Sequence, residues 1–236
     1  MRQVTVVRVV ALALAAIALA GACSGSEDQA AKDASAPAAG TGETGPARQL
    51  EPTPAQAEGP FYPVAKPDDR DNDLTVVRGT AGPAQGDVLE LSGRVVAPDG
   101  RPVPGAVIEI WQVDATGAYL HPDDPGVGER DPRFQGYGED TADELGRWTF
   151  RTLDPVHYET RPRHIHMRVL VDGAPALTTQ VYFTGDPFLQ SDGLAAAAGD
   201  DLGLLVVEPA SAPPEGGRAV HRADHRIVLA QSALAG

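Results

Sequence analysis

Short apolar segments separated by Gly/Pro turns, with almost no helical periodicity, predict an all-β chain: an antiparallel β-sandwich whose long loops carry a candidate metal site. The third observation behind that expectation is the alternation in Ile165-His166-Met167-Arg168-Val169-Leu170-Val171. It puts Ile165, Met167, Val169 and Val171 on one face of a strand and His164 and His166 on the other. Earlier in the chain, Leu91 to Ala106 reads strand, turn, strand. Pro98-Asp99-Gly100 makes the turn, because Gly accepts positive φ and Pro presets the approach. Val107 to Asp114 is an apolar strand ending in a polar loop, Ala115 to His121, that delivers Tyr119. A third strand, Gly146 to Thr152, leads through Asp154-Pro155 to Tyr158, and a fourth, Leu177 to Phe183, is closed by Gly185-Asp186-Pro187. Gly203 to Glu208 and Arg226 to Leu229 read as two further strands around a Pro/Gly-rich turn, and Trp111 and Trp148 are expected in the core.

The chemistry concentrates in Tyr158 to His166, nine residues holding a phenol, two guanidiniums and two imidazoles. Two imidazoles two residues apart on a strand face can share one metal ion, but neutral imidazole suits zinc, copper, iron or nickel alike. Alone, such a pair is more often a hydrogen-bonded or solvated face. The tyrosine narrows the choice. Phenolate is a hard anionic donor, and a hard, highly charged ion such as Fe(III) most readily lowers a phenol pKa from about 10. Asp123, Asp124, Glu139, Asp140, Asp143 and Glu144 lack the spacing and glycine of a calcium loop and read as a solvated acidic loop. His121, His221 and His225 read as surface histidines, His121 at a pocket mouth.

Several motifs then occur in a telling order. Glu58-Gly59-Pro60-Phe61-Tyr62 is followed by Gly105 to Gln112 and Gly117-Ala118-Tyr119, then by Phe134 to Gly138 and Asp143 to Thr152. Pro155 to Tyr158, Arg161 to His166, Thr179 to Phe183 and Gly185-Asp186-Pro187 complete the series. Together, over roughly Thr53 to Leu189, these resemble the intradiol ring-cleavage dioxygenases, in their protocatechuate 3,4-dioxygenase-like branch. The resemblance implies one Fe(III) per chain held by Tyr119, Tyr158, His164 and His166, with a solvent hydroxide as fifth ligand. It implies a catechol-type substrate, protocatechuate or a relative, cleaved with O2 to a cis,cis-muconate-type diacid. Tyr158 would be displaced by the substrate and take one of its protons. Arg161 would stabilise negative charge on the attacked ring carbon, and Gln180 would orient the substrate or Arg161, an outward-facing strand amide being the alternative. His157, beside Tyr158, reads as a supporting or substrate contact or else as a solvated loop histidine. Two departures from the family pattern stand out. His157 replaces a small residue or proline, and the loop from Tyr158 to Arg161 is short. The sequence before Thr53 is also too short for the helical dimerisation domain of the catechol 1,2-type enzymes. A non-enzymatic cell-surface β-sandwich binding module is the rival reading. A zinc hydrolase lacks a carboxylate or third histidine at ligand spacing.

The amino terminus sets the expected location. Arg2 and Arg8, the apolar run Val9 to Ala20 and the small residues up to Ala22 form a signal peptide over 1–22, with a run too short for a confident membrane span. Ala20-Gly21-Ala22-Cys23 resembles a bacterial lipobox, so Cys23 is expected to be lipidated and to anchor the protein on the outer face of the cell membrane. An ordinary signal peptide leaving an unpaired thiol is the alternative. Residues 23–51 read as the lipidated cysteine and a disordered tether, and 52–236 as one sandwich domain of roughly 185 residues, enough for a proper core. Loss of Arg2 and Arg8 with the signal takes the net charge from −14 to −16. Such acidity argues against nucleic acid or an anionic membrane surface as partner, so membrane contact is expected only through the lipid.

Overall fold

The computed structural model describes residues 49–126 and 129–235. The expectations for the signal segment 1–22, for Cys23 and for most of the tether lie outside these residues.

Two sheets face each other. The first has the order β4 (Arg147–Leu153), β1 (Val88–Val96), β9 (Arg218–Val228), β8 (Ala210–Glu215). The second runs β3 (Tyr137–Thr141), β2 (Val107–Trp111), β5 (His164–Val171), β6 (Ala174–Phe183), β7 (Val206–Val207). Between them lies one apolar core. Leu89, Leu91 and Val95 of β1 and Trp148 and Phe150 of β4 meet Ile108 and Ile110 of β2, with Ile165, Met167 and Val169 of β5. The alternation read in β5 therefore holds, with its apolar face in the sandwich and both histidines on the opposite face. Within the first sheet, where β1 runs between β4 and β9, one position has no room for a side chain. A Cβ on Gly93 would collide with the His225 carbonyl and stand 2.6 Å from the Trp148 ring, so only glycine fits.

The sandwich is mostly but not wholly antiparallel, since β1 pairs β9 and β6 pairs β7 in parallel. Strand direction follows from long connections that residue alternation does not encode. The expected strand after the Pro98 turn shrinks to one bridge between Val96 and Pro102, because Pro102 and Pro104 bring no N–H to a ladder. Tyr137 to Thr141, read partly as loop, is an edge strand on β2. In the carboxy-terminal part, Gly199–Leu204 is a 3-10 helix and only Val206–Val207 is strand, while the expected strand at Arg226 is the end of the eleven-residue β9. Pro213 and Pro214 sit on the edge strand β8 where the register slips, between Ala212 and Glu215. Gly216 (φ 57°) and Gly217 (φ 83°) then make the tight turn into β9. A four-residue helix, α1 (Gly193–Ala196), is N-capped by Asp192.

His225 corrects an expectation. It is not a surface histidine: it shares the inward face of β9 with the core residues Ala223 and Ile227 and is 3% exposed. His221 is half-buried and its Nδ1 lies 2.9 Å from Asp154 Oδ2. The Nε2 of His225 has no partner among the described residues, and burial pulls its pKa down to about 4. Between pH 6.5 and 4 the unfolded chain takes a proton at this position and the folded chain does not. Its contribution is therefore full above about pH 6.5 and is lost as pH falls toward 4, by roughly 3 kcal/mol. Urea unfolding of wild type and His225→Leu across this range checks it, with the variant expected to lose less stability on acidification.

Candidate metal centre

The site is built on the outward face of the second sheet. Register places His166 opposite Trp111 of β2 and Gln180 of β6, and His164 opposite Tyr182 of β6. The loop after β2 is folded back by one carboxylate. Asp114 Oδ1 accepts from the N–H groups of Thr116 (2.8 Å) and Ala118 (3.1 Å), and its Oδ2 accepts from that of Asp131 (2.7 Å). This returns Tyr119 over β5. Its hydroxyl oxygen lies 3.1 Å from His164 Nε2 and 3.2 Å from His166 Nε2, and all three residues are 4% exposed.

That convergence leaves hydrogen bonding incomplete. His164 Nδ1 lies 2.7 Å from the Pro162 carbonyl, which can only accept, so the ring carries its proton there and turns a lone pair on Nε2 toward Tyr119. Burial lowers the pKa of His164 to about 4 and that of His166 well below its usual value, and it pushes the Tyr119 phenol up. All three donors are therefore uncharged at neutral pH. The one phenolic proton serves a single imidazole. His166 Nδ1, at the far side of its ring, has no partner among the described residues. A buried cation at the Tyr119 oxygen would use both Nε2 lone pairs and reverse the forces that keep the phenol protonated. The donor set fits a ferric ion on this ground. Among the described residues, no three His, Cys, Asp or Glu side chains converge, so a zinc-hydrolase ligand set is not found there.

Tyr158 is brought alongside rather than to the same point. Its ring stands 5.2 Å from that of Tyr119, edge-on, and its hydroxyl donates to Asp124 Oδ1 at 2.9 Å. Burial, and then this carboxylate, push its pKa up to about 12. Asp124 also accepts from the Tyr119 N–H at 2.6 Å, so it is not part of a solvated acidic loop but links the two tyrosines. The short loop closes through Glu159, held at φ 53°, a conformation that non-glycine residues rarely adopt. Arg161 donates from Nη2 to Gln180 Oε1 (3.1 Å), and Gln180 is fully buried with its Nε2 on the Ala57 carbonyl (2.8 Å). His157 does not meet this group. Its Nε2 is engaged by Asp186 Oδ2 at 2.9 Å and its ring packs edge-on against Phe188, because Asp186 gathers the ends of the loop. His121 lines a cavity of about 530 Å³ with Tyr119 and Asp124, as expected of a residue at a pocket mouth.

The motif Glu58 to Tyr62 turns out to clamp the whole site. Glu58 pairs with Arg168, Phe61 packs on Tyr119 and Tyr158, and Tyr62 donates to Glu109 at 2.9 Å while standing edge-on to Trp111. Trp111 is buried as expected, in a second apolar cluster on the outward face of its sheet rather than between the sheets. It stacks on His166 at 4.9 Å and 8°, and it belongs to an aromatic cluster with Val113, Tyr119 and Tyr137. Gly59 covers the same imidazole. A Cβ there would lie 3.1 Å from His166 Cε1, and the residue has φ 75°. Gly59→Ala should therefore cost about 1–2 kcal/mol from the backbone alone and also displace the ring. Gly173→Ala, at φ 78° with open space around it, should cost only the backbone part. Thermal unfolding combined with histidine NMR checks this: the His166 imidazole signals should move in the first variant and not in the second.

Comparison with known proteins agrees with the arrangement. A family model described as Dioxygenase matches residues 57–229. The β chain of protocatechuate 3,4-dioxygenase from Burkholderia cepacia is 35% identical over 173 residues, 67% of this chain and 74% of that one. Catechol 1,2-dioxygenase 1 from Acinetobacter lwoffii is 35% identical over 183 residues, 66% of this chain but only 54% of its own length. The chain thus spans about half the length of such catechol dioxygenases. The dioxygenase domain of a dioxygenase and carbohydrate-binding protein fusion from Streptomyces sp. SirexAA-E superposes with a TM-score of 0.57 at 30% identity, over 76% of this chain and 99% of that one. A family match across most of the folded part, on a sandwich with two imidazoles and a phenol at one buried point, places this chain in the intradiol ring-cleavage dioxygenase family.

Proposed function

We propose that the chain holds one Fe(III) through Tyr119, Tyr158, His164 and His166 and uses O2 to cleave a catechol-type ring to a cis,cis-muconate-type diacid, with protocatechuate the first substrate to test. The observation that carries this is the buried meeting of the Tyr119 oxygen with two neutral imidazoles. The non-enzymatic surface module would explain the sandwich but not that meeting. Fe(III), balanced by two phenolates and a hydroxide, would supply Lewis acidity that activates the organic substrate rather than reducing oxygen.

The rest is the work of the chain. Tyr158 would be the ligand that also carries a proton, since Asp124 accepts from its hydroxyl. The Tyr158 oxygen would hold one of the two protons that a catechol gives up on binding, its O–H donating to Asp124 as it does here. Arg161 is the fixed positive charge beside the reacting ring, where it favours negative charge on the attacked carbon. Gln180 holds Arg161 through its amide oxygen and is itself fixed by the Ala57 carbonyl. His157 is assigned to the loop through Asp186 rather than to the substrate.

Oxygen uptake by the iron-loaded protein over a panel of catechols, with product identification, tests the reading: one ring-opened diacid per O2 supports it, and no uptake on any member overturns it. Arg161→Ala should keep iron and colour while lowering turnover by roughly two to three orders of magnitude, and Arg161→Lys should recover only part. We also propose that Cys23 carries the lipid anchor, on the pattern Ala20-Gly21-Ala22-Cys23. Cys23→Ser should then move the protein from the membrane fraction into the soluble fraction, whereas an unchanged distribution would refute the anchor.

A further inference from the structure

An arginine that stabilises charge on a substrate ring has to be held still, because a guanidinium on a long flexible stem otherwise spreads its charge over many rotamers and into solvent. Gln180 and Tyr182 each contact a single nitrogen of Arg161, Nη2, at 3.1 and 3.4 Å. Neither can set the plane of the guanidinium. One other side chain can. Asp192 accepts from Nε at 2.6 Å through Oδ2 and from Nη2 at 3.1 Å through Oδ1, the two-point fork that fixes both position and plane.

Asp192 is itself held. Its Oδ1 accepts from the Ala195 N–H at 2.7 Å as the N-cap of α1, and its side chain is nearly buried. Thirty-one residues separate it from Arg161, on the far side of β5 and β6. With Nε and Nη2 engaged, Nη1 is the nitrogen of Arg161 that has no protein partner among the described residues. We infer that Asp192 is a positioning residue: it acts through Arg161, fixing the guanidinium plane and leaving the Nη1 edge for the substrate. The inference rests on the ring-cleavage reading above for what Arg161 does, but not for the clamp itself.

The experiment must separate the clamp from the helix cap. Asp192→Asn does so, because asparagine caps a helix as well as aspartate but offers one acceptor oxygen and no charge to the fork. On iron-loaded full-length protein, Asp192→Asn should keep iron content and the visible band yet lower kcat on catechol or protocatechuate by about 10- to 100-fold, with KM changed much less. Added to Arg161→Ala, it should slow turnover no further. On iron-free protein, the Tm losses of Arg161→Ala and Asp192→Asn should be clearly less than additive in the double variant. A wild-type kcat in Asp192→Asn, a full further loss in the double variant, or additive Tm losses would each overturn the inference. A wild-type protein that opens no catechol ring overturns the ring-cleavage reading instead, and the Tm cycle then decides the clamp by itself.

Discussion

Everything around the site answers to one constraint, the burial of three neutral polar atoms at a single point. The Tyr119 oxygen and the Nε2 atoms of His164 and His166 meet at 3.1 and 3.2 Å with too few protons to satisfy one another. Without a cation such a cluster is unfavourable, since a buried polar atom without a partner costs about 1–3 kcal/mol. The surrounding structure holds it in place regardless. The core face of β5 fixes the strand, Pro162 fixes the tautomer of His164, Trp111 and Gly59 fix the ring of His166, and Asp114 folds the loop that returns Tyr119.

Around this point the roles divide by distance. The three proposed metal donors, Tyr119, His164 and His166, carry no formal charge at neutral pH. The charged groups, Arg161 with Asp192 and Asp124 with Tyr158, stand one contact farther out in partnered pairs. Arg161 bears positive charge within reach of both imidazoles and helps to lower their pKa values. A carboxylate on its Nε edge offsets part of that charge, so on the proposed reading the arginine would oppose a trivalent ion less strongly. Asp124 plays a corresponding part for Tyr158, accepting from its hydroxyl to one side of the point where Tyr119 meets the imidazoles.

What was legible in the sequence was whatever local pattern determines. Alternation in β5 sorted His164 and His166 from Ile165 and Met167, and the ordered motifs located Tyr119, Tyr158, Arg161 and Gln180. Gln180 was ambiguous as a strand amide until its partners, Arg161 and the Ala57 carbonyl, were in view. Asp124 and Asp192 were not legible as site residues. One lay in an acidic run and the other after a turn, and each acquires its part only from a residue 31 to 34 positions away. The burial of Trp111 follows from a strand tryptophan being apolar, but its face does not, and only the β2–β5 register puts it beside His166. His225 failed for the converse reason: a lone histidine in a charged segment signals solvent until the strand's parity turns it inward.

The central claim is that the point shared by Tyr119, His164 and His166 is a ferric site with a phenolate ligand. Titration of the metal-free protein with Fe(III), followed in the visible spectrum and by iron analysis, tests it most directly. The account predicts a red-brown tyrosinate-to-iron charge-transfer band that saturates at about one iron per chain and is lost or shifted in Tyr119→Phe. A protein that stays colourless at full iron occupancy, or keeps an unchanged band without the Tyr119 hydroxyl, would contradict it.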